Sequence, residues 1–90
     1  MTIQGYILIP SLALASIKHE LILHTKLTKQ EPGCLKFEVT PDKTQPNKLN
    51  VYEEFIDQCA FDQHQARVKT SQWGKMTTQV ERHYQITYID

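Results

Sequence analysis

The sequence lacks any long apolar run. Its longest uninterrupted apolar stretches are Tyr6 to Ile9 and Leu12 to Ala15, whereas a membrane-spanning helix needs about 20 such residues. The N-terminus also lacks the basic-then-apolar layout and the cleavage site of a signal peptide. We therefore expect a cytoplasmic protein that has no membrane partner.

Neither sign of charge is in excess. Ten Lys plus Arg balance ten Asp plus Glu, and the basic residues are scattered along the chain. A nucleic-acid-binding surface requires basic residues gathered into a patch or stripe. This distribution argues against a nucleic-acid partner.

Cysteine is scarce, and patterns that bind metals or cofactors are missing. Cys34 and Cys59 are expected to be free thiols, since a cytoplasmic chain is kept reduced. The four histidines, at positions 19, 24, 64 and 83, show neither the spacing of a zinc site nor a His-Glu-x-x-His motif. We expect no metal and no cofactor.

The length of 90 residues predicts one domain that spans residues 1–90. A domain of this size buries only about two-thirds of its unfolded surface. A large ligand cavity in such a domain would need help from a second subunit, so dimerisation is expected from size alone.

The first third of the chain predicts a strand followed by a helix. The β-rich run from Ile3 to Ile9 is ended by Pro10, and Ser11 is a candidate N-cap. The helix should run to about Lys29. Its buried face is predicted from residues spaced by three and four, namely Leu14, Ile17, Leu21, His24 and Thr28.

The middle of the chain predicts a β-hairpin. Pro32-Gly33 has the residues favoured at the centre of a type II turn, after which Cys34 to Val39 alternates strictly. The alternation directs Leu35, Phe37 and Val39 to one face. Residues 40–48 predict an exposed loop, and residues 49–56 a third strand.

The last third predicts a second helix and a fourth strand. Asp57 is a candidate N-cap for a helix from about Gln58 to Thr70 or Ser71. A short turn or helix with Trp73 and Gly74 follows, and residues 80–89 are again β-rich. The resulting β-α-β-β-α-β order predicts an α+β, ferredoxin-like split β-α-β fold with an antiparallel sheet and both helices on one face.

Several strands are apolar or aromatic on both faces, which favours a homodimer packed sheet on sheet.

Several motifs resemble one protein family. The segment EPGCLKFEV at 31–39 closely resembles the region after the first helix in antibiotic-biosynthesis-monooxygenase (ABM) domains, and VYEEF at 51–55 agrees with it. The acid-plus-AF segment at 57–61, His64, Ser71-x-Trp73-Gly74 and the run at 81–84 are similar to quinol monooxygenases of that family. The resemblance covers nearly all of the chain in order.

The resemblance implies a dimeric α/β barrel in which each subunit has a cavity between its sheet and its helices. It further implies a cofactor-independent monooxygenase that oxidises a quinol or polyphenol with molecular oxygen, without flavin, haem or metal. The same fold includes haem-degrading enzymes and members without known activity, so family membership alone does not give the reaction. A non-catalytic or stress-associated protein that binds a small aromatic ligand is the alternative.

His64 is the candidate catalytic base. Without a cofactor the protein must accept a phenol proton and stabilise the resulting anion, and a neutral imidazole on the inner stripe of the second helix does both. The alternative is a structural histidine that joins this helix to the sheet. Cys59, in the first turn of the same helix, is a candidate thiolate or simply a small buried residue.

The remaining candidates are substrate-binding residues. His24 is expected either to reach the cavity or to pack in the core only. Trp73 either forms part of the pocket wall or completes the hydrophobic core. Alternation directs Arg82 and Tyr84 to one face of the fourth strand and His83 to the other. Glu53 and Glu54 divide in the same way, and either is alternatively a salt-bridge partner of Arg82 at the dimer interface. A haem site is disfavoured because Asn47 and Asn50 lie in or beside the loop rather than on the first strand.

Overall fold

Residues 1–88, which a computed structural model describes, form four strands and three α-helices, with a short 3-10 helix before the first of them. Within these residues no helix combines the length and apolarity needed to cross a bilayer. The elements are β1 (Thr2–Leu8), the 3-10 helix (Ser11–Ala13), α1 (Leu14–Lys29), β2 (Cys34–Pro41), β3 (Lys48–Phe55), α2 (Gln58–Thr70), α3 (Gln72–Met76) and β4 (Glu81–Thr87).

The sheet has the strand order β2-β3-β1-β4, and all neighbouring strands are antiparallel. β1 and β2 lie on either side of β3, which is the split β-α-β arrangement. The predicted α+β, ferredoxin-like fold is therefore confirmed, and α3 is the short helix expected around Trp73.

The core lies between the helices and one face of the sheet. Every second residue of β3, from Leu49 to Phe55, is buried, and in β1 the buried residues are Ile3 and Ile7. Ile17 of α1 packs against this face and is almost fully buried. The period of two along the strands thus selects which side chains meet the helices.

β4 lies at one edge of the sheet, and all seven of its residues remain exposed to some extent. Its register against β1 pairs Gly5 with Tyr84 and Ile7 with Arg82. Arg82 and Tyr84 therefore share the helix-facing side, as predicted, while His83 is on the opposite face, where it stacks on Tyr6. The strand was predicted to continue to Ile89, but it ends at Thr87 and Tyr88 is not part of it, while Ile89 lies outside the described residues.

The predicted N-cap of the first helix is wrong. α1 begins at Leu14, and neither it nor the preceding 3-10 helix has a side-chain cap. The hydroxyl of Ser11 instead accepts a hydrogen bond from Asn47 Nδ2 at 2.9 Å, and the same amide donates to the Ile9 carbonyl. The Ser11 hydroxyl is hydrogen-bonded to the β2–β3 loop, so it does not cap the helix.

The predicted type II turn at Pro32-Gly33 is also wrong, because no glycine among the described residues has a positive φ. Gly33 is required for a different reason. A Cβ atom at this position would lie 2.2 Å from the Cβ of Ala60 in α2. The glycine permits close contact between the α1–β2 connection and the second helix.

One side chain of β2 departs from the predicted alternation. Phe37 is buried and Val39 is partly buried, but Leu35 is 65% exposed. The pairing of β2 with β3 is irregular between Cys34 and Lys36. Such a bulge breaks the period of two, and this turns Leu35 away from the core.

The starts of α2 and α3 follow from local sequence. Asp57 accepts a hydrogen bond from the Ala60 backbone N–H at 2.8 Å, which confirms the predicted cap. Ser71 caps α3 by accepting from the Gly74 N–H at 3.1 Å. A Cβ at Gly74 would lie 2.0 Å from the Val68 carbonyl oxygen, so the glycine lets α3 turn closely under the end of α2. This turn directs Trp73 into the core.

The Gly33–Ala60 contact gives a testable expectation. Gly33→Ala should destabilise the protein by about 1–3 kcal/mol, because the new methyl group overfills a packed junction. Ala60→Gly alone should cost about 0.5–1 kcal/mol through helix propensity. In the double variant the two losses should be less than additive, since removal of the Ala60 methyl relieves the clash. Urea denaturation measures all four proteins, and strict additivity would contradict this explanation.

Candidate functional site

A cavity of about 270 Å³ lies between the helix-facing side of the sheet and the helices. Apolar and aromatic side chains, among them Phe37, Val51 and Phe61, form most of its wall. The polar and amphipathic groups that reach it are fewer, and they include all six residues predicted from the sequence: His24, Glu53, His64, Trp73, Arg82 and Tyr84. The fold therefore brings together residues from both long helices, α3, β3 and β4.

The Glu31 carboxylate holds the His64 ring in place. Both Glu31 oxygens lie 3.0 Å from His64 Nδ1. Arg67 Nε donates to the same carboxylate at 2.6 Å, and the Arg67 guanidinium also donates to the Thr28 hydroxyl at 2.9 Å. These contacts join the α1–β2 connection to one side of α2.

This contact determines how the imidazole can act. A carboxylate only accepts hydrogen bonds, so Nδ1 of His64 must donate its proton to Glu31. In the neutral ring, Nε2 then has the free lone pair. Burial lowers the pKa of His64 from its usual value; Glu31 partly opposes this shift, and Arg67 adds to it. The ring is therefore neutral at physiological pH and presents a proton acceptor.

Glu53 lies opposite this acceptor. Its Oε1 atom is 3.5 Å from His64 Nε2, which is within ion-pair range but does not have hydrogen-bond geometry. The carboxyl group is buried, and burial together with the nearby Glu31 raises its pKa to about 7. Within the described residues Glu53 forms no salt bridge with Arg82. Its strand neighbour Glu54 lies on the opposite face of the sheet, where it accepts a hydrogen bond from Tyr52. The interface salt bridge considered as an alternative is thus not formed within this chain.

His24 and Trp73 form a stacked pair in the wall of the cavity. Their ring centroids are 4.7 Å apart with nearly parallel planes, and Phe37 meets the His24 ring edge-on at 5.4 Å. His24 Nδ1 is buried and has no hydrogen-bond partner among the described residues. Burial, followed by the nearby His64 and two arginines, lowers the pKa of His24 to about 3. His24 thus packs in the core and also faces the cavity as a neutral ring.

Arg82 and Tyr84 line the side of the cavity at β4. The Arg82 guanidinium donates to the Thr77 carbonyl at 2.9 Å and to the Thr77 hydroxyl at 2.7 Å, so it also anchors the connection before the strand. Tyr84 is 43% exposed as a residue. Desolvation of its phenol and the nearby Glu53 raise the pKa of Tyr84 to about 12, so it remains a neutral hydrogen-bonding group.

Two participants were not predicted from the sequence. Glu31 was noticed only as part of the EPG segment, and Arg67 was not considered. Glu31 contacts His64, which is 33 positions away in the chain, and Arg67, which is 36 positions away. The available signal was Thr28, predicted on the inner face of the first helix, because a buried threonine there suggests a polar partner nearby.

Other candidate side chains lie elsewhere. Cys59 is exposed rather than buried, and it is absent from the cavity wall. Asn47 binds the end of β1 and Asn50 donates to Asp42, so neither supplies a polar group to the cavity. Among residues 1–88 no group of three or more His, Cys, Asp or Glu side chains is arranged to hold a metal ion.

The arrangement is suited to proton transfer. An oriented imidazole has its acceptor atom beside a carboxyl group whose pKa is about 7. Both groups are buried, so water competes weakly for their hydrogen bonds. Groups with shifted pKa values in a cavity are typical of functional sites.

Comparisons with known proteins agree with this fold. A family model described as "Antibiotic biosynthesis monooxygenase" matches residues 21–75, more than half of the chain. A crystal structure from Deinococcus radiodurans, described as that of a candidate antibiotic biosynthesis monooxygenase, is similar at 22% identity and a TM-score of 0.79, covering 100% of this chain and 95% of that one. A similarly described protein from Nitrosomonas europaea has 12% identity and a TM-score of 0.75, with 99% and 100% of the two chains covered. A third, from Bacteroides thetaiotaomicron, has 19% identity, a TM-score of 0.73 and coverages of 99% and 90%. No curated protein matches.

His24 predicts a specific dependence of stability on pH. Folded His24 has a pKa of about 3, below the ordinary value of 6.5. Between these values the unfolded chain binds a proton that the folded chain does not, so stability contributed by neutral His24 is lost as pH falls. His24→Phe keeps a stacking ring but cannot titrate.

The free energy of unfolding of His24→Phe relative to wild type should therefore rise when the pH is lowered from about 7.5 to about 4.5. Urea denaturation at both values measures the difference. The exposed His19 of α1 provides the control His19→Phe, which should show a much smaller change. Equal pH dependence in wild type and His24→Phe would contradict the burial of a neutral histidine.

Proposed function

Because the chain belongs to the antibiotic biosynthesis monooxygenase family, we propose that it is a cofactor-independent monooxygenase that oxidises a quinol or polyphenol with molecular oxygen. The observation that carries the proposal is the oriented, neutral His64 in an aromatic and apolar cavity. Oxidation of a phenol by oxygen begins most easily from the electron-rich phenolate. A buried base is therefore the first requirement of such a reaction.

The cavity limits the size of the substrate. Its volume of about 270 Å³ is just below the range of about 300–1,000 Å³ that holds drug-sized ligands. One or two fused aromatic rings suit this space better than a tetracyclic skeleton. The stacked rings of His24 and Trp73 and the edge of Phe37 offer apolar surface to such a ligand.

In the proposed reaction His64 Nε2 accepts the proton of a substrate hydroxyl. The imidazolium that forms is stabilised by Glu31, whose carboxylate holds Nδ1–H. The phenolate would be stabilised by hydrogen bonds from neutral Tyr84 and by the positive charge of Arg82. The phenolate itself then reduces molecular oxygen, so the proposal requires no flavin, haem or metal.

A protein that binds a small aromatic molecule without turnover is the second candidate. It is supported by two buried polar atoms that have no hydrogen-bond partner among residues 1–88, since His24 Nδ1 and Glu53 Oε1 would each hydrogen-bond a ligand whether or not it reacts. Oxygen consumption by purified protein, tested with one- and two-ring quinols and polyphenols, separates the two candidates. Metal analysis and a visible absorption spectrum of the same sample test the absence of a cofactor.

We also propose that the protein is a homodimer in which the open faces of two sheets pack together. Tyr6 and Tyr52 lie on this face and are only partly covered by the chain itself. Lys48 lies over the Tyr6 ring at 4.3 Å and Lys36 over the Tyr52 ring at 5.5 Å. A second sheet would remove this aromatic surface from water.

His64→Gln tests the proposed base. Glutamine keeps a hydrogen-bonding group but cannot accept a proton near neutral pH. Turnover should fall by about 10²–10⁴-fold, while the melting temperature changes far less than a lost core residue would produce. His19→Gln, on the exposed side of α1, is the control and should retain normal turnover. A stable His64→Gln protein with normal kcat and pH dependence would exclude His64 as the base.

The dimer is tested by equilibrium sedimentation. Wild type should sediment as a dimer at micromolar concentration and lose its fold when it dissociates. Tyr52→Arg should shift the equilibrium toward dissociation, because a charge would be buried between the sheets. Lys43→Arg, in the loop between β2 and β3, should not. A well-folded wild-type monomer at micromolar concentration would refute the sheet-on-sheet arrangement.

A further inference from the structure

Among residues 1–88, Glu53 is the buried carboxyl group of the cavity that no arginine or lysine pairs with; its one ion-pair contact is to His64, whose ring is neutral. It lies in β3 on the helix-facing side, is 7% exposed, and its Oε1 atom is buried and has no hydrogen bond within these residues. Glu31, by contrast, accepts from both His64 and Arg67. A buried carboxylate is costly unless it is paired, so an unpaired one favours its neutral, protonated form.

The surroundings of Glu53 agree with this form. Glu31 repels a second negative charge, and burial together with Glu31 raises the pKa of Glu53 to about 7. His64 presents the lone pair of Nε2 at 3.5 Å, which a protonated carboxyl can meet and a carboxylate cannot. The other titratable or charged groups near this region are His24 from α1, Cys34 from β2, Arg67 from α2, and Arg82 and Tyr84 from β4.

The proposed oxidation must also move more than one proton. When a polyphenol with a free para position becomes a quinone, its phenol proton and its ring C–H proton both leave. They end on the oxygen atom that is released as water. His64 can hold one proton at a time at Nε2, so a second acid–base group allows the C–H proton to be removed while the imidazolium still holds the phenol proton for the departing hydroxide.

We propose that Glu53 is a second catalytic residue, which protonates the oxygen-derived peroxide after His64 has taken the phenol proton. This inference rests on the proposed function. In this scheme His64 acts on the substrate hydroxyl and Glu53 acts on the reduced oxygen.

The proton and electron balance is complete with these two groups. The phenolate, formed by proton transfer to His64 Nε2, gives electrons to molecular oxygen, and a bond forms between the para carbon and one oxygen atom. Glu53 donates its proton to the terminal oxygen of this peroxide. Ionised Glu53 then removes the proton of the para carbon while the O–O bond breaks and the carbonyl forms. The imidazolium protonates the departing hydroxide to give water, and both residues return to their starting states.

A suitable probe is 1,5-dihydroxynaphthalene, a two-ring polyphenol with free para positions that gives 5-hydroxy-1,4-naphthoquinone and water with one molecule of oxygen. Its phenolate absorbs at longer wavelength than the neutral phenol. Anaerobic binding therefore reports deprotonation alone, and aerobic turnover reports the whole reaction. Isotopically labelled oxygen gas shows whether the new carbonyl oxygen comes from O₂.

Glu53→Gln is the decisive variant, because it keeps the shape and hydrogen-bonding capacity of a protonated carboxyl group but cannot transfer its proton. It should bind and ionise the anaerobic probe as wild type does, yet lose about 10²–10⁴-fold in kcat. Asp62→Asn makes the same acid-to-amide change on the exposed side of α2, outside the cavity wall, and as the control it should retain wild-type kcat. His64→Gln should fail at the earlier step and not ionise the anaerobic probe.

The pH profile provides a second readout that does not depend on the folding of a variant. Protonated Glu53 is the active form, so wild-type kcat should fall as pH rises through about 7. The residual activity of Glu53→Gln should lack this decline. A constant wild-type kcat between about pH 6 and pH 9 would overturn the role of Glu53.

The outcomes distinguish the two proposals. Normal kcat in Glu53→Gln, with normal ionisation of the anaerobic probe, overturns the role of Glu53 and leaves the proposed oxidation standing. No ionisation of the probe and no oxygen consumption by wild type overturn the proposed function, and this inference with it. Selective loss of aerobic turnover in Glu53→Gln supports both.

Discussion

The site depends on the partly buried Glu31 carboxylate, which lies between His64 and Arg67. The Glu31 charge loses part of its hydration at this place and would be unstable alone. A close hydrogen bond from the Arg67 guanidinium offsets this desolvation. The carboxylate also accepts the Nδ1–H of His64, and this hydrogen bond orients the imidazole and selects its tautomer. One interaction therefore connects the α1–β2 turn to α2 and directs a proton acceptor into the cavity. Without it, the ring could rotate, and a structural and a chemical function would be lost together.

The two glutamates of the site, Glu31 and Glu53, have different surroundings. Glu31 is paired with Arg67 and accepts from His64, whereas Glu53 faces apolar side chains and the negative charge of Glu31. Burial and nearby charge decide which protonation state of a carboxyl group is favoured. The neutral histidines follow the same rule, since burial lowers the pKa of both.

The fold was predictable because its signals are local. Pro10 ended a strand, Asp57 capped a helix through the nearby Ala60 N–H, and alternation along β4 assigned Arg82 and Tyr84 to one face. The errors also arose locally. Ser11 was a plausible cap, but its hydroxyl is hydrogen-bonded to Asn47, which is distant in the chain. Leu35 points outward because of a bulge in the pairing of β2 with β3.

The sequence by itself determined the element order and the α+β class, because periodicity and turn residues decide where each element lies and which side chains share a face; it proposed six candidate side chains for a cavity but left open which strand faces line it. Only the tertiary structure decided which of these groups touch. The approach of Gly33 to Ala60, the salt bridge from Glu31 to Arg67 and the 3.5 Å separation of His64 from Glu53 join residues far apart in the chain. Protonation states depend on burial and on such contacts, so the chemistry of the site emerges only when the helices pack on the sheet.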